Sequence, residues 1–268
     1  MSERDISARL TALSLAATAA GLDDIVALAT KKRWSPVQLL EHILSLEEQD
    51  RSRRGLDRRL KRSRLERFKP MADFDWNWPT KIDRSLVESA LRLDFIEDAR
   101  NIVLVAPQGL GKTMMAQNIV HQAVIHGHGA LFISAAQLLL DLAAQESARA
   151  LERRFKYYAR VGLLVIDEIG FLAFDARNAD LLFQVITRRY EKKSVVLTTN
   201  LAFRDWPTIF PNATCATALI DRVVHHADVI AIEGESYRAR EADAQAKARR
   251  SRKKTPPDPQ PADPTDPD

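Results

Sequence analysis

Short apolar runs alternating with helical stretches predict an α/β fold: a parallel, doubly wound sheet preceded by a small helical domain. Three observations carry this expectation. From about residue 81, the runs NIVLVA, ALFIS, GLLVIDE and SVVLTTN are separated by helical stretches at 114–127, 135–158 and 178–191. Residues 1–70 show only helical spacing, first in Leu10, Leu13, Ala17 and Ala20, then in Val37, Leu40, Ile43 and Leu44. The 268 residues suffice for one sizeable core with a small appended domain.

In chain order, the second helical stretch has a defined start, because Ser35 can cap it and Pro36 can take its first position. Residues 51–69 carry ten bases against two acids, Asp57 and Glu66, a net of +8. Leu56, Leu60 and Phe68 can share an apolar side, so a helix with a basic face is expected after Gly55. A run so nearly single-signed repels itself, which favours a polyanion partner over a merely solvated face. Arg53, Arg54, Arg58, Arg59 and Arg62 are the candidate phosphate-backbone contacts. Residues 71–80, MADFDWNWPT, are aromatic and turn-rich and read as a linker or a docking segment. The sheet domain is expected over 81–240. A tail over 241–268, basic and then rich in proline and aspartate, is too polar to offset its chain entropy and is expected to be disordered.

Composition excludes several classes. At 46% apolar and 28% charged residues, the chain resembles an ordinary soluble globular protein. One cysteine, Cys215, rules out a disulfide framework within the chain, fits a reducing cytoplasm and reads as inert. The apolar-leaning run 10–28 is broken by Asp23 and Asp24, so neither a signal peptide nor a membrane span is expected.

The chemistry begins at LVAPQGLGKT, residues 104–113, which follows a short strand and opens a helix. It matches the Walker A phosphate loop G-x-x-x-x-G-K-[ST], except that Ala106 stands at the first glycine. Pro107 biases Ala106 toward extended conformations, which alanine adopts without strain, so the loop is expected to work. Backbone N–H groups at Gly109 and Gly111 can approach phosphate oxygens, with Pro107, Gln108, Leu110 and Met114 completing the nucleotide contacts. Lys112 would reach the β- and γ-phosphates of ATP, and Thr113 would offer its hydroxyl to Mg2+. In GLLVIDEIG, Asp167 stands at a strand's C-terminal end as a second Mg2+ ligand, and Glu168 would polarise the attacking water. Asn200, ending SVVLTTN, is placed to meet the γ-phosphate or that water. Arg222, on a helix-like segment, could reach a neighbouring subunit's nucleotide or simply pair with Asp221. His225 and His226 are adjacent and diverge on a helix, so with no third ligand in view they are expected to be packing or surface residues.

LVAPQGLGKT, GLLVIDEIG, DLLFQVITRRYEKKSVVLTTN, ATALIDRVVHHADVI and EGESYRARE together resemble the IstB-like transposition helper ATPases. These are AAA+ proteins of the same branch as the helicase loader DnaC and the initiator DnaA. The resemblance runs from about residue 35 to 240. It implies an AAA+ domain without a separate lid and an ATP-driven homo-oligomer that deforms double-stranded DNA and recruits the transposase of the same insertion element. On this resemblance Lys112 and Thr113 match Walker A, Asp167 and Glu168 Walker B, Asn200 sensor one, and Arg222 the arginine finger. Arg238, in GESYR, matches the family's ending without an assigned role. The alternatives are a DnaC-type helicase loader and a DNA-binding adaptor that holds nucleotide without hydrolysing it.

Overall fold

The computed structural model describes residues 3–171 and 173–242; of the tail expected to be disordered over 241–268, residues 241 and 242 are helical and 243–268 lie outside the described residues. The sheet has six strands: β1 (Lys81–Ile82), β2 (Asn101–Val105), β3 (Ala130–Ser134), β4 (Leu163–Ile169), β5 (Val195–Thr199) and β6 (Ala227–Glu233). Their order is β1-β6-β2-β5-β4-β3. Only β1 runs antiparallel to its neighbour; the other four pairings are parallel. β6 was not expected. The helix-like segment that carries Arg222 ends at Val224, before the two histidines, and the run after them becomes the strand beside β2.

Both faces of the sheet are covered, as its nearly continuous apolar strands require. Along β2, Ile102 and Leu104 turn to one core while Val103 turns to the other, and Leu164 and Val165 divide in the same way on β4. One core lies against α5 (Arg84–Arg92), α6 (Asp94–Glu97) and α7 (Lys112–Ile125). The other lies against α8 (Ala135–Ala143), α9 (Ala148–Arg160), α10 (Ala176–Arg189) and α11 (Ala213–Val224). The stretch read as one helix over 135–158 is two. Ser147 leaves the helical conformation and its hydroxyl accepts from the Ala150 amide, starting α9 afresh.

In front of the sheet stand α1 (Glu3–Ala12), α2 (Ala16–Ala20), α3 (Leu22–Lys32) and α4 (Pro36–Ser63). Ser14, at a φ of 61°, breaks the Leu10–Ala20 spacing into two helices. α4 opens with a capping box: Ser35 Oγ accepts from the Gln38 amide and the Gln38 side chain accepts from the Ser35 amide. Buried Glu47 accepts from both the amide and the hydroxyl of Thr18, tying α2 to α4. The apolar positions Val37, Leu40 and Leu44 face outward, so their spacing marks the helix without marking a core.

α4 does not restart after Gly55 but passes through it, 28 residues in all. Leu56 and Leu60 lie on the core beneath α7, while Arg64 turns left-handed and ends the helix. Phe68, beyond that end, packs at a tilt against His121 of α7 rather than joining the helix face. Residues 71–80 do not span open space. Phe74, Trp76 and Trp78 pack on the same core, beside a short 3-10 turn at Met71–Asp73. Among the described residues no helix is long and apolar enough to cross a membrane.

Arg189 is the buried pin of the second helical layer. Fully enclosed, it donates to the carbonyls of Tyr158, Val161, Gly162 and Ser194 at 2.6–3.1 Å, joining α9, the start of β4 and the start of β5. Burial pushes its guanidinium down to about 9, so it stays charged at neutral pH. Arg189→Met fills similar volume but strands those carbonyls. It is expected to lower unfolding free energy by about 3 kcal/mol or more, read from urea unfolding at pH 7.

Candidate functional site

The loop between β2 and α7 sits where the parallel strands end, at the sheet's C-terminal edge. Ala106 continues β2: its amide donates to Thr199 O at 3.1 Å, its side chain is buried, and its φ is not positive. A glycine's freedom is unnecessary there. It is needed at Gly109 and Gly111, whose φ values are 81° and 87°. A Cβ on Gly109 would stand 2.1 Å from Ser236 Oγ, and one on Gly111 would stand 2.8 Å from the Phe74 ring. Two distant segments therefore close on the loop from either side.

Lys112, the first residue of α7, donates from Nζ to Ala106 O at 2.6 Å and Pro107 O at 2.8 Å, lying across the loop. Burial pushes its ammonium below its ordinary range, opposed by the Asp167 and Glu168 carboxylates and reinforced by Arg238. Thr113 Oγ1 lies 3.0 and 3.3 Å from the two Asp167 carboxylate oxygens. Hydroxyl and carboxylate oxygens form the donor set that suits a hard cation such as Mg2+.

At the end of β4 the two acids part company. Asp167 is buried behind Thr113, while Glu168 takes a left-handed φ of 64° and turns outward to solvent. Thr198, fully buried on β5, holds this arrangement: its hydroxyl accepts from the Glu168 amide at 2.8 Å and donates to Asp167 Oδ1. The parallel pairing of β4 with β5 shifts register between Ile166 and Ile169, where the acids lie.

A cavity of about 380 Å3 opens here, large enough for a nucleotide. Of the candidate site residues, 108–114, Glu168 and Asn200 line it. Leu110 reaches it from a side chain otherwise sunk in the core. Pro107 and Asp167 stand just outside the lining, touching it through Lys112 and Thr113. Arg222 is not in it: its guanidinium donates to Ala218 O and lies 4.6 Å from the Phe183 ring centroid on α10. The lining also contains Thr198, Phe74, Trp78, Tyr237 and Arg238, none of them placed there by the sequence. A signal for the aromatic part was present, since MADFDWNWPT is too aromatic for a free linker.

These aromatic residues form a clasp. The Tyr237 amide donates to Gly109 O, and Trp78 Nε1 donates to Glu235 O at 2.8 Å. Arg240 lies over the Trp78 ring and pairs with Asp75 at 3.6 Å. On the other side, the Asn118 side chain of α7 donates to Lys69 O and accepts from the Met71 amide. The five candidate DNA contacts on α4 are not equivalent. Arg58 and Arg62 are exposed, Arg53 and Arg54 both pair with Asp50, and Arg59 turns inward to donate to Val124 O at the end of α7.

With the geometry in view, comparison with known proteins is informative. The profile described as IstB-like ATP binding protein matches residues 8–245. The protein described as the ATP-binding protein of insertion sequence IS21 in Pseudomonas aeruginosa is 36% identical over 220 residues, 82% of this chain and 83% of its own. The corresponding protein of IS232 in Bacillus thuringiensis subsp. berliner is 34% identical, covering 90% of this chain and 96% of its own. In fold, the chain is similar to the crystal structure of the DnaI, with a TM-score of 0.51 and 18% identity over 61% of this chain and 90% of that one.

Two outcomes follow from the site. Ala106→Gly is expected to leave nucleotide affinity within about threefold in a fluorescent-nucleotide titration, while lowering stability by about 0.5–1 kcal/mol through the freer unfolded chain. Thr198→Val keeps shape but frees both acids. It is expected to cut ATP turnover by about 10–100-fold, with nucleotide affinity far less affected.

Proposed function

The chain belongs to the IstB-like ATP binding protein family and is an ATPase of AAA+ architecture; from that premise we propose that it is the ATP-driven helper of an insertion element. In this reading it assembles as a homo-oligomer on double-stranded DNA, deforms the duplex and recruits the element's transposase. The observation that carries the reading is the physical continuity between the basic helix and the phosphate loop. α4 bears the cluster of arginines, and the strap that follows it is held to α7 by Asn118 and ends with Phe74 against Gly111.

The geometry supports a role for each residue. Backbone amides of 109–113 and the positive end of α7 would cradle the phosphates, and Lys112 would exchange its two carbonyl acceptors for phosphate oxygens. Mg2+ held by Thr113 and Asp167 would neutralise charge on the β- and γ-phosphates. Glu168, exposed to the cavity while Asp167 is buried, would orient the attacking water, with Asn200 beside it. Phe74, Trp78 and Tyr237 would give the base an apolar seat, and Arg238 would add positive charge beside Lys112. Arg222, outside its own chain's cavity, would act on a neighbour's nucleotide. Arg58 and Arg62, with Arg53 and Arg54, would meet DNA phosphates, giving sequence-tolerant binding that weakens steeply with salt.

Glu168→Gln tests this as a whole. Turnover is expected to fall about 100-fold or more while ATP still binds. The variant should remain on long duplex DNA as an ATP-bound oligomer, measured by sedimentation and by DNA release after dilution. Release at the wild-type rate would favour the adaptor, and ATP binding without assembly on duplex DNA would favour a helicase loader.

A further inference from the structure

His225 and His226 would diverge on a continuous helix. They do not, because α11 ends at Val224: His225 closes the helix, and His226 already leads into β6. Their ring centroids are 4.0 Å apart. The third ligand that the sequence lacked arrives from the turn after α10. Glu191 Oε1 lies 3.3 Å from His226 Nε2 and 3.9 Å from His225 Nδ1. One ligand atom from each of the three residues falls within 4.8 Å of the others. The Tyr190 hydroxyl is hydrogen-bonded to His225 Nδ1 at 2.7 Å, a bond that this nitrogen would give up to coordinate an ion.

From this convergence we infer that Glu191, His225 and His226 form a binding site for a first-row transition-metal ion, zinc foremost. Two imidazoles and a carboxylate are borderline donors that favour Zn2+, Co2+ or Ni2+ over the harder Mg2+. Donors about 2.1 Å from one ion in tetrahedral geometry stand about 3.4 Å apart. The Glu191–His226 separation already meets that, and the Glu191–His225 separation needs a shift of about half an ångström. All three side chains are about half exposed, so such a shift displaces no core group, and water can complete the coordination.

The site is separate from the nucleotide cavity. The His226 carbonyl accepts from the Asn101 amide, at the N-terminal end of β2, whereas the phosphate loop follows that strand's C-terminal end. Its ligands come from the turn after α10 and from the two-residue junction between α11 and β6. A bound ion therefore cross-links them and braces the last turn of α11, which carries Arg222. Two imidazole–carboxylate contacts on a surface also arise with no metal, and metal affinity separates the two cases.

The test uses the full chain without an affinity tag, in millimolar Mg2+ so that the oxygen ligands near the phosphate loop do not take up zinc. Zn2+ is titrated in competition with a chromophoric chelator, and Co2+ is followed by its visible absorption. The expected result is one equivalent bound, with affinity falling tenfold or more in His225→Ala, His226→Ala and Glu191→Gln. Zinc should also raise the thermal midpoint of the wild type and leave that of the variants unchanged. Circular dichroism of the metal-free variants confirms that these surface changes leave the fold intact. No stoichiometric binding, or binding that survives all three substitutions, would overturn the assignment.

Discussion

A single buried hydroxyl organises the site. Thr198 bridges the carboxylate of Asp167 and the amide of Glu168, and so joins β5 to the strained end of β4. Its bond to the Glu168 amide helps hold that residue in a left-handed backbone, a conformation costly for a residue with a side chain. The two consecutive acids part: Asp167 is buried against Thr113, and Glu168 is exposed and lines the cavity. The separation of roles proposed for the pair depends on that division.

A second constraint is the enclosure of the phosphate loop. Gly109 and Gly111 lack a Cβ not only because their φ is positive but because Ser236 and Phe74 occupy the space beside them. The segments supplying those residues lie more than 150 residues apart in the chain, and Trp78, Glu235, Tyr237 and Arg240 lock them together. Movement at the phosphates would thus be felt in the strap behind α4, and through Asn118 and Arg59 in α4 itself. In the proposed reading, nucleotide and DNA need no direct contact to be coupled, because packed and hydrogen-bonded groups join the phosphate loop to α4.

Much of this was legible in the residues. The alternation of apolar runs with helical stretches gave the parallel sheet, because strands covered on both faces must be apolar at nearly every position. The phosphate loop was legible because its chemistry is local: strand, turn, lysine and helix start lie within ten residues. That Ala106 needs no positive φ was legible as well, since proline restricts the residue before it whatever the surroundings. Thr198 was not, because threonine in a strand reads as ordinary β-propensity until a neighbouring strand places two acids beside its hydroxyl. β6 was lost in a helix-like reading for a related reason. Its half-buried pattern of alternating residues follows directly on α11, with only the two histidines to mark the change.

The sequence by itself determined the fold class, the phosphate loop with its lysine and threonine, the acidic strand end and the concentration of positive charge before residue 70. Each rests on short-range chemistry: periodicity, a turn residue, a charge run. Only the tertiary structure decided which residues meet across distance. It brought 71–80 and 234–241 onto the loop, turned Arg59 away from solvent, kept Arg222 out of its own cavity and gathered Glu191 to the paired histidines. The reason is common to all four. Pairings between residues far apart in the chain are set by strand order and helix packing, which summed burial dictates and no local pattern records.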